Sequence, residues 1–226
     1  MSSRRPVCAV CGASVRSPFR PPPAEMAPDL DLRPGEPTRS TLPRWLQVCG
    51  GCGAVAPDLA ALPPTAAAVL GSAEFAELRT RLPGCLPFLR WAMLARPEER
   101  REALLQAAWV ADDAGDLAEA VSLRRLTASA WGEPESPESA LRLIDVLRRA
   151  GEFELARARA AALDPDAMDE VSAQILVFQR ARIAAGDAGR HLMSSVVRPP
   201  ASRPHVAQAR RPKPARRGLW GRLLGG

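Results

Sequence analysis

Four of the five cysteines in this 226-residue chain stand in two copies of one unit, Cys-x-x-Cys-Gly. Cys8 and Cys11 form the first copy, Cys49 and Cys52 the second, and Gly12 and Gly53 follow. Two residues between cysteines let both thiolates meet one ion from a tight turn, and four soft donors suit tetrahedral Zn2+. Each trailing glycine sits where the backbone needs a positive φ to turn its amides toward the sulfurs. One structural Zn2+ held by Cys8, Cys11, Cys49 and Cys52 is therefore expected. Four protein ligands leave no coordination position for water, which speaks against a catalytic metal. A redox Cys-x-x-Cys normally occurs once, in an α/β setting that is missing here. Cys85, in RLPGCLPFLRW, has no partner cysteine and reads as a core residue.

The elements around the cysteines follow from the intervening sequence. Residues 17–29 are Pro-rich and read as irregular, residues 30–40 hold a short alternating stretch and a Pro-Gly turn, and RWLQVC (44–49) reads as a strand. Trp45 is placed to cover a small metal core. The expectation is a zinc ribbon of two or three short strands with a Pro-rich insertion, spanning residues 1–58.

From Thr65 the apolar period becomes helical. Helices are expected near 65–71, 72–81, 86–95, 98–114, 117–131, 137–150, 152–163 and 167–185, with Pro97 and Pro137 near helix starts. DDAGDLAEA (112–120), RRAGEFELA (148–156) and IAAGDAGRH (183–191) share Ala-Gly-acidic, and Gly115, Gly151 and Gly186 lie 36 and 35 residues apart. Each glycine falls where one helix should end and the next begin. Ala120 and Ala156 follow at a position where a small residue lets paired helices approach. This period resembles the tetratricopeptide repeat (TPR), a helical hairpin of about 34 residues. The first-helix aromatic positions of that repeat are filled here by Ala, Leu or Arg, and His191 replaces the alanine of the third unit. Residues 59–196 are accordingly expected to form a TPR-like helical domain, mainly α, capped by its preceding helices.

The order of modules, a double Cys-x-x-Cys knuckle, then LDLRP and LPRWLQVCGGCG, then LLQAAWVADDAGDLAEA, resembles a bacterial family of uncharacterised proteins. Its members combine an N-terminal double-CxxC zinc ribbon with tetratricopeptide-like helices. The resemblance covers roughly residues 7–165 and implies no catalytic activity. The proline that often follows the first cysteine in that family is replaced here by Ala9 and Gly50.

Charge divides the chain unevenly. Residues 197–226 carry Arg198, Arg203, Arg210, Arg211, Lys213, Arg216, Arg217 and Arg222 without an acid. Removing those eight charges from the net +6 leaves −2 for residues 1–196, so a basic groove across the body is not expected. The segment 197–226 reads as a disordered basic tail, in which Leu219, Trp220, Leu223 and Leu224 would form one apolar side of a short amphipathic element. No run reaches the roughly 18 apolar residues of a membrane span. The start, MSSRRPVCAVCGASV, is too short in its apolar stretch for an export signal. A cytoplasmic protein is expected.

Familiar catalytic patterns are missing from the sequence. There is no Gly-Lys-Ser/Thr phosphate loop and no His-Glu-x-x-His. His191 reads as a helix-end packing residue and His205 lies in the tail. Asp112, Asp113 and Asp116 read as caps and solvated turn residues, and Ser129 and Ser139 have no local His and Asp. The expected function is a non-enzymatic adaptor or scaffold with a structural zinc and a TPR-like protein-protein interaction surface. Its partner is an unknown protein held by the helical domain or the C-terminal peptide, with peripheral contact to anionic membrane or nucleic acid through the tail. The alternatives are a nucleic-acid-binding protein using ribbon and arginines, or an enzyme whose pocket residues are distant in sequence.

Overall fold

The computed structural model describes residues 6–78 and 83–197. The expected basic tail, with Trp220 and its leucines, lies outside the described residues. The fold is mainly helical, with one small antiparallel sheet near the N-terminus. Strands β1 (Gln47–Val48) and β2 (Val55–Ala56) pair with Gln47 opposite Ala56 and Val48 opposite Val55. Both belong to the second knuckle, while the first contributes an isolated bridge between Val7 and Ser14. Two-residue strands cannot hold themselves together in water, so the ribbon depends on what the knuckles and the helices supply.

The helices are α1 (Ala66–Leu70), α2 (Ala73–Glu77), α3 (Leu86–Leu94), α4 (Pro97–Asp113), α5 (Leu117–Ser129), α6 (Pro137–Arg149), α7 (Phe153–Ala161) and α8 (Glu170–Ala184). Pro97 and Pro137 occupy first turns, where no amide partner is lost. The side chains of Ser72, Asp116, Ser136 and Asp169 accept from amides at the starts of α2, α5, α6 and α8. Consecutive helices from α3 to α8 pack against one another, and α6 also meets α8. Helix α6 is therefore central, and buries Leu141, Leu143, Ile144, Val146 and Leu147. Ala120 and Ala156 are buried in the helix contacts, as their size suggests. Cys85 is buried too, its thiol 3.4 Å from the Ala107 carbonyl, and burial pushes its pKa up to about 11.

The turns α4–α5 and α6–α7 are built alike. Gly115 and Gly151 have φ of 73° and 74°, and the residue after each donates its amide back into the preceding helix, Asp116 to Ala111 and Glu152 to Leu147. Nothing lies within 4 Å of a Cβ built on Gly151, so only its backbone conformation demands glycine. Gly151→Val is expected to cost about 2 kcal/mol, and to lower Tm by roughly 4–8 °C. Gly151→Asn should lose about half as much, because Asn tolerates the left-handed region. An unchanged melting curve for the valine variant would refute this account of the turn.

The third unit is half a hairpin, since α8 is its first helix. Gly186 again has a positive φ and its successor Asp187 bonds back to Arg182, but no second α-helix follows among the described residues. Arg148 Nη1 donates instead to the carbonyls of Asp187 and Gly189, at 2.6 and 2.8 Å. These bonds tie residues 187–190, which follow a non-helical path, to α6. The chain continues as a strap, where Met193 N donates to Pro28 O and Leu30 N to His191 O.

The alternating stretch after residue 29 is a turn and not a strand. Asp29 N donates to Arg33 O, and Leu32 has a φ of 65° and is exposed. Leu30, Asp31 and Arg33 point inward and are buried. The buried apolar cluster runs without a break from Cys8, Leu42 and Val55 into Phe88, Trp109 and Ile144.

Candidate metal centre

The two knuckles share one hydrogen-bond pattern. Cys8 N donates to Ala13 O and Cys49 N to Ala54 O, both at 2.8 Å. Gly12 N returns to Cys8 O and Gly53 N to Cys49 O, both at 2.9 Å, with φ of 72° and 75° at the glycines. These turns bring the four sulfurs together, all within 4.8 Å of one another. Two close approaches cross between knuckles: Cys11 to Cys49 is 3.5 Å and Cys8 to Cys52 is 3.8 Å. Cys8 and Cys49 are buried, Cys52 is half-buried and Cys11 is exposed. A Cβ on Gly51 would stand 3.2 Å from Cys11 Sγ and from the Ala13 methyl, so glycine there lets the knuckles close on each other.

Electrostatics prepares the set for a cation. The amides of Cys52 and Gly51, with the neighbouring thiols, lower the Cys49 pKa to about 6, whereas burial raises that of Cys52 to about 12. One thiolate is thus present near neutral pH, and an incoming divalent ion would displace the other protons. Four clustered thiols fit one metal ion. Trp45, placed over the metal from the sequence, is partly buried at the edge of the core and donates its indole N–H to Thr41 Oγ1 at 2.8 Å.

A second polar constellation surrounds Asp31. The carboxylate of Asp31 is fully buried between the ribbon insertion and the helices. Its Oδ2 accepts from Trp109 Nε1 at 2.9 Å and from Arg149 Nη1 at 2.8 Å, and its Oδ1 from the Arg33 amide at 3.2 Å. Arg124 lies 3.7 Å away and grips Asp112 with both terminal nitrogens, while Arg149 bridges Asp31 and Asp112. Arg33 pairs with Asp113 and donates to the Trp109 carbonyl. Burial opposes ionisation of Asp31, yet Arg149, Arg124 and the Trp109 indole hold it below the usual carboxylate range. Burial pushes Asp29 and Asp145 the other way, against the pull of Arg39 and Arg148.

The acidic, serine and histidine residues with catalytic side chains are scattered. Asp112 and Asp113 belong to this network, and only Asp116 is the expected cap. Ser129 Oγ donates to Arg125 O, and Ser139 Oγ accepts from Trp131 Nε1. His191 Nε2 lies 3.0 Å from Asp187 Oδ2, with its ring edge-on to Phe178. His205 lies outside the described residues. The signal that could have exposed the network is in α6, where Asp145, Arg148 and Arg149 share helical spacing with Leu141, Ile144 and Leu147. Charges on an apolar face announce buried partners.

Comparison with family models, with curated proteins and with solved structures finds no match to this chain. No described helix is long and apolar enough to cross a membrane.

Proposed function

We propose that this chain is a non-enzymatic cytoplasmic adaptor, in which one structural Zn2+ holds a ribbon together beside a TPR-like helical body that docks a protein partner. The observation carrying the reading is the set of four thiols within 4.8 Å of one another. A tetrathiolate site is coordinatively closed and serves architecture. The residues that could have done acid-base work are engaged elsewhere: Asp112 and Asp113 in ion pairs, Asp116 in a helix cap, and His191 in a hydrogen bond with Asp187. The resemblance to bacterial ribbon-plus-TPR proteins points the same way.

The helical body offers a groove of about 420 Å³ between α5, α6 and α7, lined by Ala128, Leu143, Leu147 and Leu155, with Arg125 and Glu152 at its rim. Leu155 is 56% exposed, which suits a docking contact. The basic segment after residue 197 is a second docking element of this reading. Affinity capture with full-length protein, a 1–196 truncation and Leu155→Glu tests it. A stoichiometric partner kept by the truncation and lost in Leu155→Glu supports docking on the helices. Loss on truncation alone moves the contact to the tail, and turnover of a small molecule by the purified chain would overturn the adaptor reading.

A further inference from the structure

A cleft of about 790 Å³ beside the knuckles is not used by the metal centre. One wall comes from Val15, Arg16 and Phe19, the other from Arg44, Gln47 and Val48. No acidic side chain lines it. Arg44 lies over the Phe19 ring at 4.4 Å, a contact that holds the guanidinium in place and leaves its N–H edge available. Among the described residues neither Arg16 nor Arg44 has a carboxylate partner. The segments outside the described residues contain no Asp or Glu, so none of their side chains can neutralise the two arginines either.

Strand β1 forms the floor of the second wall, and its outer edge is open. Cys49 N bonds to Ala54 O, and Gln47 pairs with Ala56. In an antiparallel pair the residue between two bonded positions turns its amide and carbonyl away from its partner strand. Val48 is that residue, it is 63% exposed, and it lines the cleft. An unpaired strand edge beside two uncompensated cations is a template for an extended chain of opposite charge.

We propose that this cleft binds an extended acidic peptide segment of a partner protein, added as a strand to the outer edge of β1, with its carboxylates on Arg16 and Arg44. The occupant extends a sheet whose own strands are two residues long, and Val48 supplies its central backbone pair. Single-stranded nucleic acid fits less well, since base stacking needs an open aromatic face and Arg44 already covers Phe19. The proposal shares with the adaptor reading only the premise that the occupant is a protein.

The test selects a random-peptide phage library on the full-length, metal-loaded protein, with oligothymidylate offered in parallel. Recovered sequences should be rich in Asp and Glu alternating with Val, Ile or Thr. Arg16→Glu combined with Arg44→Glu should weaken a recovered peptide about tenfold or more, and N-methylation of its alternate amides should do the same. Both arginines are exposed, so the double variant should keep its zinc and its melting temperature. An empty selection, a pool without acidic enrichment, indifference to both changes, or retention of oligothymidylate in place of peptide would overturn the proposal. Partner capture through Leu155 is read on the same double variant, so failure of the cleft and failure of the helical docking face give different results.

Discussion

Cys49→Ser is expected to abolish metal binding and to release the ribbon from its fold. Cys49 is buried, lies 3.5 Å from Cys11, and is the thiol whose pKa the knuckle amides hold near 6. Serine removes the soft donor from the position best prepared to supply it. Structural zinc in small domains contributes about 10–16 kcal/mol of apparent binding free energy, more than the ribbon's two short strands could replace. Metal analysis should find one equivalent of zinc in the wild type and none in the variant. Hydrogen exchange should then accelerate over residues 6–16 and 45–57, while the helical circular dichroism signal persists. Chelation of the wild type should produce the same exchange pattern. Full metal retention by the variant, or unchanged exchange, would refute the assignment of Cys49 as a ligand.

The second large effect is expected at Asp31. Asp31→Ala leaves Arg149 without one of its two carboxylates and the Trp109 indole without an acceptor, both in the interior. Removing one member of a buried ion pair costs about 3–5 kcal/mol, so Tm should fall by on the order of 10 °C. Asp31→Asn should cost less, because its amide oxygen can still accept from Trp109. The pH dependence has a definite sign. Asp31 and Asp112 have folded pKa values held below the ordinary range, so the stability they contribute is complete above about pH 4 and lost as pH falls through the folded values. Asp29 and Asp145, raised by burial, act in the opposite sense and are at their most favourable when protonated. Asp31→Asn should therefore flatten the acid limb of the stability curve. A loss below about 1 kcal/mol in Asp31→Ala, or an acid limb unchanged in Asp31→Asn, would show that the network is not what joins the insertion to the helices.

The sequence by itself determined the local features. Cysteine spacing and the glycines after each pair specified two like knuckles, because a chelating turn needs few residues and one unusual φ. Apolar periodicity, cap residues and Pro97 and Pro137 located the helices, and the recurring Ala-Gly-acidic located their turns. Gly115, Gly151 and Gly186 all adopt the required positive φ. These are properties of consecutive residues, and short-range sterics dictates them.

Only the tertiary structure decided what joins elements distant along the chain. LDLRP alternates like a strand, yet Asp31 finds Trp109, Arg124 and Arg149 and is drawn inward, which makes the segment a turn. The residues after Gly186 run as a strap held to α6 by Arg148, which donates to the carbonyls of Asp187 and Gly189. A buried charge is tolerated only where its partners converge on it, and that convergence depends on packing between elements that no local pattern encodes. For the same reason the open edge of β1 beside Arg16 and Arg44 is a property of the fold: residues 14–19 and 44–50 meet across the cleft only once the knuckles have closed.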